Sequence, residues 1–152
     1  MKNKLLIVPL LMALTGCSQM VEGKGEGGDK IIRDYSDYQE LHLEWKNLFL
    51  LAKSLYFVYI YSISCLHCQH IKEVVLDAVE ANKDFFYLIE YSDEIKTSVN
   101  TSDTIGKEKV EEVTIMGTPT LLEISDYHVA INIAGENEIL GYLQLLPHKS
   151  CE

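Results

Sequence analysis

Leu55-Tyr56-Phe57-Val58-Tyr59-Ile60-Tyr61-Ser62-Ile63-Ser64-Cys65-Leu66-His67-Cys68 decides how this chain is read. From Leu55 to Tyr61 the residues are continuously apolar or aromatic, too few for a good helix and without alternation. They predict a central strand buried on both faces. A helix is predicted directly after it, over residues 66–81, with Ile71, Val74, Val75, Ala78 and Val79 on one face. Cys65 therefore stands at a helix N-terminus, where unpaired N–H groups and the positive end of the helix dipole favour a thiolate. Cys68 lies three residues further on and three before Ile71, which puts it on or near the inward face. One reachable sulfur beside one recessed sulfur suits a two-step exchange: Cys65 forms a mixed disulfide and Cys68 resolves it. His67 lies between them, and a proton on its ring would stabilise the Cys65 thiolate.

Working outward, Tyr38, Leu41, Trp45, Leu48, Phe49 and Ala52 recur at helical spacing and predict a helix over residues 35–53, capped by Asp34 or Ser36. Beyond the cysteines, residues 85–91 read as a second buried strand, residues 92–104 as polar loop, and residues 105–113 as a short helix. Gly117-Thr118-Pro119 then opens a strand over residues 120–124. Residues 129–134 pair with it as a hairpin around Ser125-Asp126-Tyr127-His128. Gly135 breaks that strand, and a last helix turns Ile139, Leu140, Leu143 and Leu146 inward until Pro147. Strands alternating with helices and closing in a hairpin imply an α/β protein: one central mixed β-sheet flanked by helices on both sides.

The N-terminal residues carry a different message. Lys2 and Lys4 precede an apolar run from Leu5 to Leu14, about ten residues long, which matches a secretory h-region and is too short to span a bilayer. The run ends in Leu14-Thr15-Gly16-Cys17, which resembles the bacterial lipobox. That resemblance implies cleavage before Cys17, lipidation of its thiol, and a protein anchored on the extracytoplasmic face of the cell membrane. The domain plan is then a leader over 1–16, a Gly-rich charged tether over 17–33, one domain over 34–148 and a tail over 149–152. Exported chains meet compartments where disulfides persist, and two cysteines are too few for a disulfide framework, so Cys65 and Cys68 read as reactive. Cys151 reads as a passive tail thiol. A net charge of −10 excludes nucleic acid as a partner and excludes docking on anionic lipid by charge alone.

Cys65, His67, Cys68 and His70 are also four potential ligands for zinc or copper. They cannot all converge on one ion from a single helical turn, and no second CxxC closes the set, so no metal site is assigned. His42, His128 and His148 are scattered and read as surface residues.

A strand, a CxxC at a helix start and a distant Gly117-Thr118-Pro119 together resemble the thioredoxin superfamily, over about residues 35–146. The resemblance implies a thioredoxin-like fold in which Pro119 is cis and faces the two sulfurs, with the backbone at Thr118 pairing with a substrate chain as an added strand. It also implies a protein thiol–disulfide oxidoreductase without a cofactor. Such an enzyme would act on thiols or disulfides of exported proteins and exchange electrons with a redox partner protein. Two positions depart from the pattern: Ser64 stands where thioredoxins carry Trp, and Tyr59 stands where they bury an acid six residues ahead of the first cysteine. The Leu66-His67 dipeptide looks closer to oxidant and isomerase members. More narrowly, the chain is similar to small thioredoxin-like lipoproteins of low-GC Gram-positive bacteria, some of them bacteriocin-transport accessory proteins. The competing function class is a non-catalytic accessory module that keeps the fold to hold extended peptides during export.

Overall fold

The computed structural model of the protein describes residues 32–146. The leader expected over 1–16, the lipidation expected at Cys17, nearly all of the expected tether, His148 and Cys151 lie outside the described residues. Six strands and two α-helices follow one another: β1 (Leu55–Tyr61), α1 (Leu66–Ala81), β2 (Phe86–Glu90), β3 (Lys96–Thr97), β4 (Thr114–Ile115), β5 (Thr120–Ser125), β6 (His128–Ala134) and α2 (Glu136–Leu143).

β1 takes the central position that its apolar run dictates. Tyr56 through Tyr61 are all buried. The main sheet has the order β2-β1-β5-β6. β1 runs parallel to β2, with Tyr59 opposite Leu88, and α1 supplies the crossover that parallel neighbours require. On its other side β1 pairs antiparallel with β5, Val58 opposite Leu122, and β5 pairs antiparallel with β6. The β5–β6 turn places Asp126 and Tyr127 at φ 47° and 65°, the pair of positive values a tight two-residue hairpin needs. β3 and β4 form a separate two-stranded parallel sheet.

Alternate residues of β1 feed two cores. Phe57, Tyr59 and Tyr61 pack with Cys68, Ile71, Val75, Leu76 and Val79 of α1 and with Ile139 and Leu143 of α2. Tyr56, Val58 and Ile60 pack on the other face with Trp45, Leu48, Ile95, Val113 and Ile115. Both α-helices therefore cover the same face. The expectation of helices on both sides is corrected: the second face is roofed by 3-10 turns and loop.

The helix expected over residues 35–53 is corrected as well. The chain forms a 3-10 helix at Tyr35–Leu41, interrupted at Tyr38, and another at Trp45–Asn47. Asp34 does cap the first, in a reciprocal capping box with Asp37. Between the two, His42 is extended and bridges to Leu88, and Leu43 N–H donates to the Leu88 carbonyl at 2.9 Å. Tyr35, Tyr38 and Leu41 belong to one core and Trp45 and Leu48 to the other. A single helix cannot present its apolar stripe to both faces of a sheet, so pairing with β2 overrides the helical period.

The helix expected over residues 105–113 shrinks to a 3-10 turn at Val110–Glu112. Gly106 N–H and the Lys107 carbonyl are instead bonded to Val129 of β6. Arg33, placed in the tether on sequence, reaches Glu73 and Asp77 of α1 at 2.7 Å each and Glu80 at 3.3 Å. Those three carboxylates share one face of α1 through their spacing of four and three residues.

Candidate active site

Cys65 terminates the turn that leaves β1. Its N–H donates to the Ser62 carbonyl at 3.1 Å, and its backbone (φ −82°, ψ 114°) is extended, as an N-cap requires. The cap itself is made by sulfur. Cys65 Sγ accepts the Cys68 N–H at 3.1 Å, while the Cys65 carbonyl accepts the first helical bond from Gln69. A negative charge on this sulfur is what the N–H groups of a first helical turn stabilise.

The second contact of Cys65 comes from far along the chain. Its thiol donates to the Thr118 carbonyl oxygen at 3.3 Å, and the Thr118–Pro119 peptide bond is cis. Thr120 Oγ1 donates to the Gly117 carbonyl, and the Gly135 N–H donates to the Pro119 carbonyl at 3.0 Å. Pro119 is buried and Thr118 half-buried. Ile63, Leu66 and Met116, which flank the cysteine and the proline turn in sequence, are each more than half exposed.

Cys68 is 0% exposed and packs among the residues of the helical core. Burial, followed by its interaction with Cys65, pushes its thiol pKa up. Both cysteines are free thiols, the reduced form of the pair. Behind them lie stacked tyrosines. Tyr35 hydroxyl is 3.0 Å from the Cys68 carbonyl and 3.3 Å from the Tyr59 hydroxyl. With one proton to give, Tyr35 donates to the carbonyl and accepts from Tyr59. Burial drives both phenol pKa values far up, so they stay neutral.

Solved structures with a similar course include thioredoxin f2 of Chlamydomonas reinhardtii, at 12% identity and TM-score 0.46, covering 70% of this chain and 97% of that one. Spinach chloroplast thioredoxin f gives 14%, 0.46, 70% and 92%, and mitochondrial thioredoxin 3 of Saccharomyces cerevisiae gives 18%, 0.41, 70% and 92%. No protein-family model and no curated protein matches the sequence. The architecture stands on its own coordinates: a mixed sheet of order β2-β1-β5-β6, a CxxC opening the helix after β1, and a cis-proline turn entering β5.

The fold is thioredoxin-like. Within it, the structure brings Cys65, Cys68, Thr118 and Pro119 together. His67 sits on the solvent side of the same helix turn, and its Nδ1 meets Glu136 Oε2 at 2.8 Å. His70 Nδ1 approaches the same oxygen at 3.4 Å. The bond from His67, then that from His70, holds the Glu136 carboxyl below the usual carboxylate range. Glu136 was invisible to sequence reasoning. It is 69 residues from His67, and only the packing of α2 on α1 joins them.

His42 also departs from its reading as a surface residue. It is half-buried, with Nδ1 on the Tyr38 carbonyl at 3.0 Å and Nε2 on the Tyr61 hydroxyl at 2.9 Å. His128 is half-buried beside the β5–β6 turn.

Proposed function

We propose that this protein is a thiol–disulfide oxidoreductase of the extracytoplasmic face of the membrane, held there by lipid on Cys17 and acting on exported proteins. The observation that carries the reading is the asymmetry of the two sulfurs: Cys65 is half-buried at a helix N-cap against the Thr118 carbonyl, and Cys68 is sealed behind it.

Starting from the reduced pair, the Cys65 thiolate attacks one sulfur of a substrate disulfide and expels the other as a thiolate that takes up a proton. The Cys68 thiol then loses its proton and attacks Cys65 Sγ. This releases the second substrate thiol and leaves a Cys65–Cys68 disulfide. Two electrons and two protons pass to the substrate, and a redox partner protein restores the dithiol. The same steps run backwards oxidise a substrate dithiol. The exposed Ile63, Leu66 and Met116 suit an extended, partly apolar substrate segment laid along Thr118. A proton on the His67 ring would stabilise the thiolate of the reduced pair.

Incubation of the Cys68→Ser protein with a disulfide-containing unfolded substrate tests the exchange. A mixed disulfide mapped to Cys65 is the expected product, and the Cys65→Ser protein yields none. Failure of both to trap substrate leaves only the non-catalytic accessory module. Metabolic labelling with palmitate tests the anchor separately: the wild-type chain incorporates label in the membrane fraction and the Cys17→Ser chain does not.

A further inference from the structure

We propose that His67, His70 and Glu136 form a binding site for a borderline divalent transition-metal ion of the zinc class, beside the cysteine pair.

The two histidines are three residues apart in α1 and so share one face of the helix. Glu136 opens α2, directly after Gly135, whose N–H is fixed on the Pro119 carbonyl. The three donors thus come from two packed helices, which fixes the backbone positions from which they project. One ligand atom from each residue lies within 4.8 Å of the other two. Donors around a tetrahedral zinc ion, with bonds of about 2.0–2.2 Å, stand about 3.4 Å apart. The histidine side chains are 69% and 63% exposed, so rotation about their own torsions closes that difference without moving backbone.

Hydrogen bonding serves the two rings unequally. Both Nδ1 atoms address one oxygen, Glu136 Oε2, and the second is left at 3.4 Å, the far edge of a hydrogen bond. A cation among the three atoms satisfies all of them at once. Two imidazole nitrogens with one carboxylate oxygen suit zinc or a neighbouring first-row ion rather than calcium or magnesium, which take oxygen shells. The fourth position faces solvent and is left to water or an incoming ligand. The cysteines are not among these donors, so the geometry differs from the CxxC-centred metal set that the sequence raised and set aside.

Zinc titration by calorimetry tests this on the full chain with Cys65 and Cys68 replaced by serine and the remaining thiols capped with iodoacetamide. One saturable zinc site per chain is expected. Glu136→Gln and His70→Ala each weaken it by at least about tenfold, while His128→Ala leaves it unchanged. Imidazole NMR on the unsubstituted histidines supplies a readout that does not depend on those variants. Zinc is expected to shift the His67 and His70 ring signals and to leave His128 in place. An absence of saturable binding, or binding that survives both Glu136→Gln and His70→Ala, overturns the site. Ring shifts confined to other histidines overturn it as well.

Discussion

The thiol of Cys65 donates to the carbonyl oxygen of Thr118 at 3.3 Å, closing a separation of 53 residues. That bond ties the start of α1 to the cis-proline turn and puts the reactive candidate at the seam between two halves of the chain. Cys68, one helical turn away, makes its contacts inside the core.

The two thiols should therefore differ sharply toward alkylation. In the folded, reduced protein Cys65 reacts with iodoacetamide on the first exposure. Cys68 reacts about a hundredfold more slowly, because its sulfur waits for a local opening costing about 3 kcal/mol. Peptide mass spectrometry after timed quenching reads the two sites separately, and equal rates would contradict the burial described above.

The tyrosine chain behind Cys68 makes a second expectation. Tyr59→Phe removes the hydroxyl that donates to Tyr35 and should cost about 1 kcal/mol. Tyr35→Phe removes the acceptor of Tyr59 and the donor to the Cys68 carbonyl, leaving a buried hydroxyl unpaired, and should cost about 2 kcal/mol. Urea unfolding of the reduced proteins measures both. The double variant should cost less than the sum of the two, since the shared bond is lost only once.

Alkaline pH should weaken the reduced fold in a defined window. Burial raises the Cys68 thiol pKa, whereas the unfolded chain releases this proton near the ordinary value of about 8.5. Below that value both states keep the proton and the contribution is complete. Above it the folded state binds more protons than the unfolded one, so stability falls as pH rises until the folded thiol also ionises. The buried phenols of Tyr35 and Tyr59 add a loss of the same sign from about pH 10 upward. Urea midpoints measured across this range should decline for the reduced protein and decline less steeply between about pH 8.5 and 10 for Cys68→Ala.

Gly135 holds a backbone conformation (φ 104°, ψ 150°) that side chains other than hydrogen rarely tolerate. An added Cβ would also stand 2.6 Å from Glu138 Oε2, although that carboxylate can swing aside. Gly135→Ala should cost about 1–3 kcal/mol, read as a lower melting temperature, with the backbone rather than the carboxylate responsible. A Gly135→Ala/Glu138→Ala protein recovers little of the loss if that attribution holds.

Where the spacing of a segment's apolar residues matches the layers it packs against, its residues announce its structure. β1 spans Leu55–Tyr61 and α1 spans Leu66–Ala81, the limits read from the apolar run and the helical stripe, because each buries its pattern against the same layers throughout. Val74 is the exception, exposed on the edge of the stripe. The hairpin of β5 and β6 was equally legible from its turn residues. Residues 35–53 misled because their helical spacing mixes side chains bound for opposite faces, a division made by His42 and Leu43 pairing with Leu88. The same holds at the site. Cys65, Cys68 and the proline turn are marked by local sequence, whereas Glu136 and the Tyr35–Tyr59 chain arise only when distant elements pack.

The lopsided roofing of the sheet has an optical consequence. The chain has a single tryptophan, Trp45, and it lies under the irregular roof with Tyr56, Val58 and Ile60, across the sheet from the sulfurs. Its emission therefore watches the quiet side of the molecule. Oxidation of the cysteine pair should pass almost unseen in fluorescence, while partial melting of the loop layer should redden the spectrum before helical ellipticity begins to fade.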